Sequence, residues 1–206
     1  MTHIYSTNKL TYSINNKIII NKISCKISAG LVTKISGSNG AGKTTFLKLL
    51  YGLYVPSLGY ISRNFDPGET KLSYVFQNSV FLNRTVEDNL KHVLYCKNIN
   101  KLMWTSMIKK LLNLHDLNYM LNLHVNLLSG GELQLLALMR SILINPDILF
   151  YDEPTNNLDK KNISIITNMI KKLNRNGTSI ILVSHDNIFC NDLDYTELTI
   201  DKGKLV

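Results

Sequence analysis

Residues 31–51 read LVTKISGSNGAGKTTFLKLLY, and this stretch decides the fold. Leu31–Ser36 is a short apolar run of strand character, and Thr44–Tyr51 has apolar residues at helical spacing. Between them Gly37, Ser38, Asn39, Gly40, Ala41, Gly42, Lys43 and Thr44 satisfy G-x-x-x-x-G-K-[ST], with Thr45 following. Strand, glycine-rich loop, helix is the context in which successive backbone N–H groups turn inward as an anion nest, with the positive end of a helix behind them. A polyphosphate fits such a cradle. Lys43 adds a cation for its β- and γ-phosphates, and the Thr44 hydroxyl suits Mg²⁺. The motif alone leaves ATPases, GTPases and kinases open.

Outward from the loop, strand and helix patterns alternate. Residues 8–13 and 17–28 alternate apolar and polar side chains, as half-buried antiparallel strands do. Leu72–Phe76 predicts another strand. Val86–Leu94, Lys101–Leu114, a segment near Leu117–Leu121 and Glu132–Leu143 carry helical spacing. Asp147–Tyr151 and Ser179–Val183 are the nearly continuous apolar runs of strands buried in a parallel sheet. An amphipathic helix over Asn162–Leu173 and the Asn176-Gly177 turn join them into a βαβ unit. The expectation is an α/β fold whose ends form one mostly parallel sheet, opened by antiparallel strands and interrupted by a helical insert.

Composition sets outer limits. The chain has 206 residues, 45% hydrophobic and 18% charged, which fits one folded domain and excludes a disordered or coiled-coil chain. No apolar run is long enough to cross a bilayer, and residues 1–15 lack the order of a secretion signal. Cys25, Cys96 and Cys190 are an odd, scattered set, which points to a reducing compartment rather than a disulfide framework or zinc site. The net charge of +8 is spread over scattered lysines and reads as a solvated surface, with no nucleic acid expected as partner.

A second cluster of chemistry stands at the end of the 147–151 run, where Asp152 and Glu153 precede Pro154. A chain bending at a strand end lets adjacent carboxylates reach one ligand above the sheet edge, so Asp152 can hold Mg²⁺ while Glu153 orients or deprotonates an attacking water. Leu128, Ser129, Gly130, Gly131 and Glu132 lie between the two clusters and open an apolar helix; alone they would be an ordinary helix N-terminus.

In this order, LSGGE between a phosphate loop and an Asp-Glu strand resembles the nucleotide-binding domain of ATP-binding cassette (ABC) proteins, along nearly the whole chain. The resemblance implies a phosphate-loop NTPase core over 1–76 and 145–206, with an N-terminal antiparallel β-subdomain. It places a helical subdomain over about 78–144, all within one ATPase domain. It implies that Gln77 is the glutamine that touches Mg²⁺ and faces a transmembrane subunit, that Asp159 in Asn157-Leu158-Asp159 belongs to the loop meeting the partner cassette, and that His185 is the switch histidine. Tyr12 resembles the aromatic that stacks on adenine, with Tyr5 or simple core packing as the alternatives.

The sequence departs from the family pattern in two places. Leu133 and Leu135 flank Gln134 where a polar pair is common, and Tyr60–Gly68 looks like a trimmed β-subdomain. The family's head-to-tail arrangement implies a homodimer in which Ser129, Gly130, Gly131 and Glu132 complete the partner's ATP site. It further implies docking on permease subunits through about Asn78–Leu94, at the cytoplasmic face of the plasma membrane. Val75–Leu94 looks like the cassettes of small-oxyanion importers, tungstate above all, which act with an external solute-binding protein. A haem-exporter cassette and a soluble ATPase uncoupled from transport are the alternatives.

Overall fold

A computed structural model describes residues 2–154, 158–184 and 194–206. His3–Ile14 (β1) and Lys17–Ser28 (β2) pair antiparallel, and Leu58–Arg63 (β4) pairs with β1 on its other side. Val32–Ser36 (β3), Leu72–Val75 (β5), Ile148–Asp152 (β6), Ser179–Val183 (β7) and Tyr195–Asp201 (β8) form the second sheet, which Lys204–Leu205 (β9) ends. Its order is β5-β6-β7-β3-β8-β9, parallel except for the β8–β9 hairpin.

Every residue of β6 and β7 is buried, as their unbroken apolar runs require of strands covered on both faces. The two-residue period then divides the core. Ile148, Phe150, Ile181 and Val183 join Lys43–Tyr51 (α1) and β1–β2 on one face. Leu149, Tyr151, Ile180 and Leu182 join Val86–Cys96 (α2), Lys101–Asn113 (α3), Gly130–Ile142 (α4) and Lys160–Arg175 (α5) on the other. Each fully buried side chain of this kind contributes about 1.5–3 kcal/mol. The helical segment therefore shares the sheet's own core.

Several elements depart from the sequence expectation, β8 and β9 among them, which it does not include. β1 starts at His3 rather than at residue 8, because Lys9 (φ 47°) bulges and resets the register between Thr7 and Leu10, which hides the alternation. β4 overlaps the start of the Tyr60–Gly68 segment that looks trimmed. Near Leu117–Leu121 there is only a 3₁₀ turn, Asn118–Met120, after the left-handed Asp116 (φ 56°).

Candidate functional site

β3 delivers the chain at the C-terminal edge of the parallel sheet, and residues 37–42 turn there before α1 begins. Gly37, Gly40 and Gly42 have φ of 137°, 77° and 104°. A Cβ on Gly37 would overlap the Ile200 carbonyl oxygen, so β8 approaches too closely for any side chain. Gly203, in the β8–β9 turn, donates its N–H to Ala41 O at 3.0 Å and braces the loop from behind. Ser38, Asn39 and Gly40 are exposed at its tip. Lys43 is buried and donates its ammonium to the carbonyls of Gly37 (3.0 Å) and Ser38 (2.9 Å). Burial lowers its pKa, while Glu153 and Asp152 pull it back up.

β6 brings the carboxylates alongside. Thr44 donates its hydroxyl to Asp152 Oδ1 at 2.9 Å, and Tyr74 OH reaches Oδ2 at 3.4 Å. Burial pushes the Asp152 carboxyl above its ordinary range, Thr44 counters this, and Glu153 adds to it. A buried carboxylate beside a hydroxyl, with its charge raised in energy by burial, is a hard-oxygen donor set that a divalent cation fits.

Glu153 adopts the left-handed conformation (φ 52°), costing ~1–2 kcal/mol for an L residue, and is held there by its N–H on Val183 O at 3.0 Å. This turn separates its side chain from that of Asp152. Gln77 Nε2 donates to Glu153 Oε2 at 2.6 Å. The pairing of β5 with β6 runs up to Val75 opposite Tyr151, so the two chains leave the sheet edge side by side and Gln77 comes within reach of Glu153.

The LSGGE segment is a separate unit. Ser129 caps α4 through a reciprocal capping box: its N–H and hydroxyl reach Glu132 Oε2 at 2.9 and 2.8 Å, and Glu132 N–H reaches Ser129 Oγ at 3.3 Å. These bonds, with the Tyr119 hydroxyl, hold the Glu132 carboxyl below its usual range, the Ser129 backbone contributing most. Ser129 and Gly130 are exposed, Gly131 is buried, and a Cβ on Gly131 would overlap the Asn162 side-chain amide. Asp159 caps α5 by accepting from Asn162 N–H at 2.7 Å. Among the described residues no hydrogen bond joins Ser129–Glu132 to the phosphate loop. The structure thus unites Lys43, Thr44, Asp152, Glu153 and Gln77, and keeps the LSGGE segment apart. Asn157 and His185 lie outside the described residues.

Of the aromatic candidates, Tyr5 is fully buried edge-on against Phe65 and Phe150, its pKa pushed up to about 12 by burial. Tyr12 is half-buried and stacks on Tyr54, ring centroids 5.2 Å apart and planes 2° from parallel. Sequence reasoning missed Tyr54 and also Tyr74, whose hydroxyl is aimed at Asp152 by its place in the strand beside β6.

A phosphate loop, a cation-ready hydroxyl–carboxylate pair and a second carboxylate on its own turn define a nucleoside-triphosphate-hydrolysing site. The model of the ABC transporter family matches residues 20–156. A putative ABC transporter ATP-binding protein of Bartonella henselae is 32% identical, covering 98% of this chain and 92% of that one. The cell division ATP-binding protein FtsE of Streptococcus pneumoniae is 30% identical, over 93% and 89%. The molybdate/tungstate import ATP-binding protein WtpC of Methanocaldococcus jannaschii is 34% identical, over 74% and 53%. Among solved structures, the dimeric post-hydrolysis state of the cassette MJ0796 bound to ADP and Pi superposes with a TM-score of 0.83 at 25% identity, over 98% and 96%. The chain belongs to the ABC transporter family: it is an ATP-binding subunit and an ATPase. Among the described residues no helix is long and apolar enough to cross a membrane.

Proposed function

We propose that the chain is the motor of a small-solute importer, working as a head-to-tail homodimer on the cytoplasmic face of the membrane, bound to permease subunits, with an oxyanion of the tungstate class as cargo. The observation that carries the dimer is the exposed N-terminus of α4, a capped helix end that, among the described residues, makes no hydrogen bond to the phosphate loop of its own chain. It suits the γ-phosphate held by a second copy. The MJ0796 cassette, itself dimeric, supports this. The oxyanion reading rests on the Val75–Leu94 segment and on the likeness to WtpC.

In this reading Gly37 to Thr45 cradle the phosphates, Lys43 balances their charge, and Tyr12 on its Tyr54 support stacks on adenine. Thr44, Asp152 and Gln77 would hold Mg²⁺, which when bound would supply neutralising charge for the phosphates. Glu153 takes the proton of the attacking water as the new P–O bond forms at the γ-phosphorus and the bond to the β-phosphate oxygen breaks, releasing ADP and phosphate. Ser129, Gly130, Gly131, Glu132 and Asp159 act on the partner's side, and His185 on the γ-phosphate. The phosphate clamp loses charge on hydrolysis and the dimer opens. An external solute-binding protein then gates the cycle.

The test is ATPase activity of the chain assembled with its permease in vesicles. Stimulation by tungstate- or molybdate-loaded binding protein supports the importer reading. Activity indifferent to any binding protein overturns it and leaves the ATPase untouched.

A further inference from the structure

Helix α4 holds the segment after β5 at two points. Gln134 Nε2 donates to the backbone carbonyl of Gln77 at 3.2 Å, and Arg140 Nη1 donates to Val80 O at 2.7 Å with its guanidinium 5.5 Å over the Phe81 ring. The first of these lies one residue's length from the hydrolytic site, because the side chain of the same Gln77 donates to Glu153. Gln134 also carries a cost. Among the described residues its Oε1 is buried with no hydrogen-bond partner, in a helix whose neighbouring Leu135 is fully buried. An unsatisfied buried oxygen costs ~1–3 kcal/mol, so an apolar side chain of the same length would serve packing better. Packing does not explain a glutamine here. Its donor does.

We propose that Gln134 is a positioning residue: it fixes the Gln77 backbone, through that the amide that orients Glu153, and so ties the helix headed by Ser129 to the hydrolytic carboxylate of its own chain. The proposal rests on the reading of Glu153 as the base. Along this route α4 presents Ser129 and Gly130 at one end and holds Gln77 one to two turns later, so a displacement of its N-terminus moves the Gln77 carbonyl with it. The two anchors make residues 77–81 follow the helix rather than the sheet edge.

The experiment compares Gln134→Met, which keeps length and removes both polar atoms, with Gln134→Glu, which keeps shape but turns an anionic acceptor toward the Gln77 carbonyl. Steady-state hydrolysis by the full chain is measured together with ATP affinity and Tm. Gln134→Met is expected to lower kcat at least about tenfold with KM for ATP within about twofold, while Tm stays unchanged or rises. Gln134→Glu should lower kcat further. A double-mutant cycle then assigns the route: in a Gln77→Ala background Gln134→Met should cost less than about twofold more. A wild-type kcat in Gln134→Met, a loss of activity that tracks a fall in Tm, or full additivity with Gln77→Ala would each overturn the proposal. Glu153→Gln run alongside separates the two levels: if it hydrolyses ATP normally the base reading fails, and if it is inactive while Gln134→Met is normal only Gln134 fails.

Discussion

Replacing Gly37 with alanine asks more of the fold than the same change three residues later. At φ 137° any L side chain costs ~1–2 kcal/mol in backbone strain. The new methyl would also overlap the Ile200 carbonyl oxygen and stand 3.0 Å from its carbon, so β3 and β8 must part; forced overpacking of this sort costs ~1–3 kcal/mol. Together these amount to ~2–5 kcal/mol, or about 4–20 °C in Tm for a chain of this size. Gly40 has φ 77° and nothing within 4 Å of its Cβ position, so Gly40→Ala meets the strain term alone, about 2–8 °C. ATP affinity should separate the pair as well. The Gly37 carbonyl is one of two acceptors that hold the Lys43 ammonium, and a loss of ~1.4 kcal/mol there is tenfold in Kd. Thermal melts and titration calorimetry on both variants are the assay. Equal Tm and equal ATP affinity, or the larger loss at Gly40, would refute the argument that β8 backs the loop.

Thr44→Val removes the donor to Asp152 while keeping shape; affinity for ATP with Mg²⁺ should fall by about 10–100-fold, affinity in EDTA by less than about threefold, and equal losses would contradict the cation assignment. Burial, with Lys172 acting in the same direction and Asp116 against it, holds the His115 imidazole below its usual 6.5. The unfolded chain therefore takes up the proton first, and stability is lost as pH falls from about 6.5 through the lower folded value. His115→Gln should flatten the fall in Tm between about pH 7 and 5, and parallel curves for variant and wild type would count against it. Ser129→Arg and Lys43→Ala should each abolish hydrolysis, yet mixed dimers of the two should regain partial activity because one composite site then carries both lesions and the other neither; proven mixed dimers without activity would remove the head-to-tail model.

What the sequence made legible was whatever depends on local pattern. The β6 and β7 runs, the loop at 37–44 and the Ser129–Glu132 cap are each contained within a few consecutive residues, and all stand where reading placed them. Contacts between strands were not legible. Tyr74 meets Asp152, and Gln77 meets Glu153, only because β5 lies beside β6 in one particular register, a fact with no trace in either segment alone. Tyr12 stands out in the sequence as an aromatic, but its partner Tyr54 lies beyond α1 and comes to it through the fold. The bulge at Lys9 shows the opposite failure, where a local backbone feature erased a pattern that was present. Leu133 and Leu135 flank Gln134 where a polar pair is common, yet Gln134 reaches the Gln77 backbone, since its helix phase and not its neighbours decides where it points.

The central claim is that Glu153 acts on ATP held by Lys43, Thr44 and Asp152, and Glu153→Gln tests it most directly. The amide keeps the size of the carboxylate and an oxygen for the Gln77 donor, but it cannot take a proton. Measured side by side on one preparation, ATP binding should stay within about threefold of wild type while kcat falls by at least ~10²-fold, and the protein should elute as a dimer only with ATP present. Hydrolysis at the wild-type rate by Glu153→Gln would contradict the account at its centre.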